Sequence, residues 1–186
     1  MSQLWKVARM IEDFPRFKYH PDPLTTGVFV ALKGQCPVCN QQTAYRYVGP
    51  FYSETEVEGI CPWCIHSGAA AECYDLMFVD EDEVEPVSQP ERVSELTKRT
   101  PGFFFPQGDR WPAHCGDYCV LLGSVSWNND LSSLPGVKED LSRIRARLEV
   151  TDDLLRADLC RPNSPLRAIL FRCEKCLTYQ LVADYE

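Results

Sequence analysis

Cys36-Pro37-Val38-Cys39 and Cys61-Pro62-Trp63-Cys64 are the stretches whose reading decides the fold. Each Cys-x-x-Cys can turn two thiolates toward one point. Two such pairs supply the four soft ligands of a closed tetrahedral Zn²⁺ site. A closed site keeps no position for water or substrate. The motif therefore argues for folding around a metal rather than for chemistry at the metal.

The residues between and after the pairs give the site a local architecture. Cys36-Pro37-Val38-Cys39-Asn40 reads as a tight turn, with Asn40 able to take positive φ. Thr43–Val48 alternates as a strand, and Gly49-Pro50 turns it. Residues 51–60 then return as a second strand with Val57 and Ile60 inward. Cys61 and Cys64 open an alanine-rich helix reaching Tyr74, and a helix N-terminus favours thiolate. Knuckle, hairpin and helix-borne Cys pair together make a treble-clef-like zinc unit over residues 33–79. The rival reading of Cys61 and Cys64 is a redox dithiol, which expects a βαβ unit around it. The hairpin and the second Cys pair favour metal. His66 is not needed as a ligand.

A third pair, Cys173-Glu174-Lys175-Cys176, sits between two apolar strands and reads as a zinc-knuckle hairpin over residues 165–184. Its two thiolates need two partners. His20, Cys73, His114, Cys115, Cys119 and Cys160 are the candidates, and Cys115 with His114 is the preferred pair. The spacing of Trp111, Cys115 and Cys119 predicts a buried helix. Adjacent residues on a helix point about 100° apart. On that expectation His114 and Cys115 do not form a catalytic thiol–base pair, although an enzyme using them stays an alternative.

The other elements follow from periodicity. Leu4, Val7, Met10, Ile11 and Phe14 space a helix over residues 3–14. Residues 17–23 are extended by their prolines, and Gly27–Leu32 forms a strand. Pro90 starts a helix ending near Arg99. Residues 100–108 form an aromatic loop, Val120–Val125 continues the core, and helices follow over 138–149 and 151–159. Arg143, Arg145 and Arg147 face outward among acids and read as a solvated face. The fold class expected is α+β: a small zinc-organised unit packed on a mixed helical and short-strand body, in one domain over residues 1–186.

Composition sets the limits on function. The chain has 186 residues, 27 acidic and 19 Lys or Arg, for a net charge of −8. That balance opposes nucleic-acid binding, which needs clustered cations. Five acids, Asp80, Glu81, Asp82, Glu83 and Glu85, fall within six residues. They offer a recognition surface for a basic protein partner, against the plainer reading of a solvated loop. No apolar run approaches the ~18 residues of a membrane span. The N-terminus lacks a signal-peptide pattern, so the expected location is cytoplasmic. Ten cysteines there are reduced, and one or two zinc ions explain them better than disulfides.

Several phrases now stand together: three Cys-x-x-Cys pairs, Tyr19-His20-Pro21-Asp22-Pro23, Cys61-Pro62-Trp63-Cys64-Ile65, Arg99-Thr100-Pro101-Gly102, and Trp111 with His114-Cys115 and Asp117. In these the chain resembles the CbrC-like family of bacterial proteins over nearly its whole length. The resemblance implies a metal-bearing bacterial protein associated with tolerance to a nuclease toxin. It implies no catalytic residues. The expected function is that of a non-enzymatic, zinc-stabilised immunity factor that binds a basic nuclease-type toxin. The alternatives are a thiol redox regulator or enzyme using Cys61 and Cys64, or an adaptor with a housekeeping partner. Cys73, Cys119 and Cys160 are expected to be core thiols.

Overall fold

The computed structural model of the protein describes residues 14–104, 110–127, 130–161 and 163–186. The helix expected over residues 3–14 lies outside them except for Phe14. The chain forms two compact units. The first comprises residues up to Glu81 together with Val93–Phe104. The second comprises Asp82–Arg92 and the chain from Phe105 onward.

In the first unit, β1 (Phe29–Gln35) and β2 (Gln42–Tyr47) pair antiparallel. The knuckle Cys36–Cys39 is the turn that joins them. Residues 51–60 do not form the return strand expected from sequence. Only Tyr52 makes a bridge, to Met77, while Val57 and Ile60 are buried as loop anchors. The partner of β2 is instead the strand before the knuckle. The expected single helix from Cys64 to Tyr74 is two short ones, α1 (Pro62–His66) and α2 (Ala69–Tyr74). They are separated by Gly68, whose φ of 84° breaks helical continuity at little cost for a residue without Cβ. The core gathers Phe17, Phe29, Tyr47, Ile65 and Phe78, with Phe14 and Trp63 against it. Phe14 meets Phe29 edge-on at 5.3 Å and Tyr45 at 5.4 Å. Such pairs add about 0.5–1.5 kcal/mol each beyond burial. Helix α3 (Pro90–Arg99) has the span its proline predicts, and its residues from Val93 belong to this unit.

In the second unit, β5 (Val120–Ser124), β6 (Leu166–Arg172) and β7 (Tyr179–Tyr185) form an antiparallel sheet in that order. Helix α4 (Val137–Leu148) packs on β7 and α5 (Asp152–Cys160) on β6. Both lie within a residue or two of their sequence positions. Thr151 caps α5, its hydroxyl accepting from the Leu154 amide at 3.3 Å. Ile144, Leu155, Leu159, Leu170 and Leu181 form the core between helices and sheet. The buried carboxylate of Asp140 accepts from the Leu181 amide at 2.6 Å, fastening α4 to β7. The molecule is thus α+β, with small sheets and short helices and, among the described residues, two clusters of potential metal ligands.

The helix expected over residues 111–119 is absent. Ala113–His114 (β3) and Asp117–Tyr118 (β4) form a tight hairpin instead. Its turn residues Cys115 and Gly116 have φ of 52° and 73°. Positive φ at both positions is the type I′ requirement, and it selects Gly at the second. The apparent three-to-four spacing of Trp111, Cys115 and Cys119 arises from an irregular segment rather than from a helix face.

Candidate metal centres

Both knuckles have the same backbone design. The Cys36 amide donates to the Gln41 carbonyl at 2.9 Å, and the Asn40 amide donates back to the Cys36 carbonyl at 2.9 Å. Cys173 and Thr178, and Leu177 and Cys173, repeat the two bonds at 2.9 Å each. The residue after each second cysteine has positive φ, 56° at Asn40 and 62° at Leu177. The loop is therefore closed by main-chain bonds before any metal is considered.

At the first centre the second pair comes from α1. Cys61 is its N-cap, and Pro62 occupies the first turn, where a missing N–H is harmless. Cys36, Cys39, Cys61 and Cys64 bring their four Sγ atoms within 4.8 Å of one another. Cys36 and Cys64 are 3.8 Å apart, and Cys39 and Cys61 3.9 Å. A tetrahedron with metal–sulfur bonds of about 2.3 Å has edges of about 3.8 Å. These spacings therefore fit one ion, and they are far from the ~2.05 Å of a disulfide. All ten cysteines are free thiols.

The protonation pattern follows from the same crowding. Thiols this close cannot all ionise without a cation. Hydrogen bonds from Cys61 and then Cys64 drive Cys36 far below the ordinary thiol range. Cys61 is in turn pushed up to about 12, chiefly by Cys36, and Cys64 is pushed up by the same neighbour. A dication at the centre removes the repulsion and lets all four ligate as thiolates. The Cys61 amide already points at Cys36 Sγ from 3.4 Å, a second contact that supports thiolate there.

The second centre joins the β6–β7 knuckle to the β3–β4 hairpin. His114, Cys115, Cys173 and Cys176 place their ligand atoms within 4.8 Å. His114 Nδ1 is 3.3 Å from Cys115 Sγ and 3.1 Å from Cys176 Sγ. A hairpin turn, unlike a helix, lets consecutive side chains converge on one point, so the 100° separation does not apply. Cys176 is lowered to about 6, first by the Thr178 hydroxyl at 3.3 Å and then by the Thr178 amide. Cys115 is raised to about 11 by Cys176. Lys175 Nζ donates to the Cys115 carbonyl at 2.8 Å, and Arg92 Nη1 donates to that of Gly116, bracing the hairpin. The donor set is Cys₃His, and its geometry can hold one metal ion.

The remaining candidates lie elsewhere. His20 is fully buried, bonded to the Pro101 carbonyl and to Thr26, and belongs to neither centre. His66 ends α1 and faces Phe17 edge-on at 5.7 Å. Cys119 is a buried thiol, raised to about 12 chiefly by burial. Cys73 and Cys160 are exposed, contrary to their expected place in the core. Among the acids expected to meet a partner, Glu81 and Asp82 are exposed, while Asp80, Glu83 and Glu85 are half-buried. Glu85 accepts from the Ala113 amide at 2.7 Å and so holds the start of β3. Sequence reasoning missed Thr178 and Gly116. A Thr two residues past a Cys-x-x-Cys, and a Gly directly after a candidate ligand, are the signals that mark them.

Residues 14–185 match the model of a family described as "Uncharacterised protein family (UPF0167)". The chain is 36% identical over 178 residues to UPF0167 protein Mb2317 of Mycobacterium bovis, covering 94% of this chain and 95% of that one. UPF0167 protein PA1536 of Pseudomonas aeruginosa is 37% identical over 114 residues, 60% of this chain and 64% of its own. No solved structure matches the chain.

Proposed function

The chain belongs to the UPF0167 family, and we propose that it is a non-enzymatic protein-binding protein with a structural zinc ion at each centre. The observation that carries this reading is closure. Each centre gathers four donors within 4.8 Å. Four donors fill a tetrahedral shell and leave the metal no position from which to activate water or substrate. Cys₄ and Cys₃His sets are the usual structural zinc ligations, although iron also takes four thiolates.

The partner inferred is a basic protein, on the net charge of −8 and the exposed Glu81 and Asp82. Resemblance to the CbrC-like proteins narrows it to a nuclease-type toxin met in the bacterial cytoplasm. An acidic surface there occupies the region that otherwise receives phosphate and raises the on-rate of the complex. A thiol-redox regulator is the second reading. It finds its support at the exposed Cys176, lowered to about 6, rather than at Cys61 and Cys64.

Elemental analysis together with thiol titration tests the metal reading. Two zinc ions per chain are expected, with the seven cysteine ligands protected until chelator is added. Free reaction of Cys36, Cys39, Cys61 and Cys64 without metal release overturns it. Co-expression with toxins encoded beside the gene, followed by pull-down, tests the partner. Protection should weaken when Glu81 and Asp82 are replaced by Lys, and failure to bind or protect against any toxin removes the immunity reading.

A further inference from the structure

The arginines of α4 each have an acidic partner. Arg143 meets Asp140 at 2.9 Å, Arg147 meets Asp184 at 2.9 Å and Arg145 meets Asp152 at 2.6 Å. Two cations nearby do not: no ion pair among the described residues engages Lys138 or Arg156. Lys138 is exposed in the first turn of α4. Arg156, exposed on α5, lays its guanidinium 4.9 Å from the centre of the Trp127 ring. Lys138, Arg145 and Arg156 line one open cleft of about 520 Å³ with Asp152 as its single acid. A volume of that order is within the range of small-molecule sites, roughly 300–1,000 Å³.

Three cations against one carboxylate invert the balance of a chain with 27 acids and 19 Lys or Arg. The cleft also shows what its cations are arranged to hold. The Asp152 carboxylate pairs with Arg145 at 2.6 Å, so one of the three cations already engages an oxyanion. We propose that this cleft binds a phosphate-bearing small molecule. Lys138 and Arg156 supply the unpaired charge, and Asp152 competes for Arg145 until the ligand displaces it. Guanidinium forks match phosphate oxygens two at a time, and a dianion recruits all three cations where a single carboxylate needs one. The Ser142 hydroxyl is already donated to the Lys138 carbonyl, so the charged groups carry recognition. The acidity of the rest of the chain favours a small anion over a nucleic acid.

The test is calorimetric titration of the full-length, metal-loaded protein at low ionic strength, with inorganic phosphate, adenosine monophosphate and acetate as probes. One saturable site is expected for the two phosphates and none for acetate. Lys138→Gln and Arg156→Gln should each weaken binding ~tenfold. Asp152→Asn should strengthen it several-fold by removing the competitor, a direction that general damage to the fold does not produce. Equal binding of the two phosphates identifies the phosphate group alone as the ligand. Tighter binding of the nucleotide adds the Trp127 ring as a platform, and both outcomes uphold the site. Absence of saturable phosphate binding, equal binding of acetate, or no gain in Asp152→Asn overturns it. Each variant is checked for unchanged metal content, because all three side chains are exposed and distant in sequence from the ligands.

Discussion

At His20 a titratable ring is buried, and its two hydrogen bonds define its proton. Nδ1 lies 2.9 Å from the Pro101 carbonyl, which can only accept, so Nδ1 carries the hydrogen. Nε2 then accepts from the Thr26 hydroxyl at 2.7 Å. Burial lowers the ring from 6.5 to about 4, while the Pro101 carbonyl and Asp22 pull the other way. The unfolded chain therefore binds a proton between those two values that the folded chain does not. The stability this contributes is complete above about pH 6.5 and is lost as pH falls toward about 4, a swing of about 3 kcal/mol. His20→Gln removes the titrating group. Unfolding free energies from urea titration of metal-loaded wild type and His20→Gln should accordingly converge by about 2 kcal/mol between about pH 7 and about pH 5. Acid loss at the metal centres is common to both proteins and cancels. An unchanged gap would show that His20 does not set this slope.

The knuckle is the element the molecule uses twice, and its two copies differ at one informative position. Asn40 tolerates the left-handed backbone, whereas Leu177 holds the same conformation with 58% of its surface exposed. An L-residue with a branched side chain is strained there by roughly 1–2 kcal/mol, and exposure returns little packing in exchange. Leu177→Asn should raise the thermal midpoint of the metal-loaded protein, by about 1 kcal/mol of stability. A lower midpoint would mean that the Leu177 side chain contributes more than its conformation costs. The cysteine pairs, the α4 and α5 spans and the strand–knuckle–strand of β6 and β7 were legible because each rests on local spacing. The β1–β2 pairing was not, because Val57 and Ile60 are apolar for loop anchoring rather than for a strand. The hairpin at Cys115-Gly116 was hidden because its turn signal is a single glycine inside an apolar 3.6-like pattern. That error also concealed how adjacent His114 and Cys115 reach one ion.

At the scale of the whole molecule, each compact unit contains one four-donor centre among the described residues. The ligands of the two differ in accessibility. In the first, Cys36, Cys61 and Cys64 are buried and only Cys39 reaches the surface. In the second, Cys115 and Cys176 are exposed and Cys173 alone is buried. A chelator attacks a structural site through ligands that can swing away from the metal, and exposed thiolates swing most readily. Metal release should therefore occur in two phases of one equivalent each, the faster one accompanied by exposure of Cys115, Cys173 and Cys176 to alkylation. Loss of the second metal should unfold the β3–β4 hairpin while leaving the aromatic core around Phe17 and Phe29 intact, since that core belongs to the other unit. Stopped chelation with mass mapping of alkylated cysteines reads the order directly. A single two-equivalent phase, or prior labelling of Cys36 and Cys64, would show that the two centres are one cooperative system rather than two independently metal-clamped units.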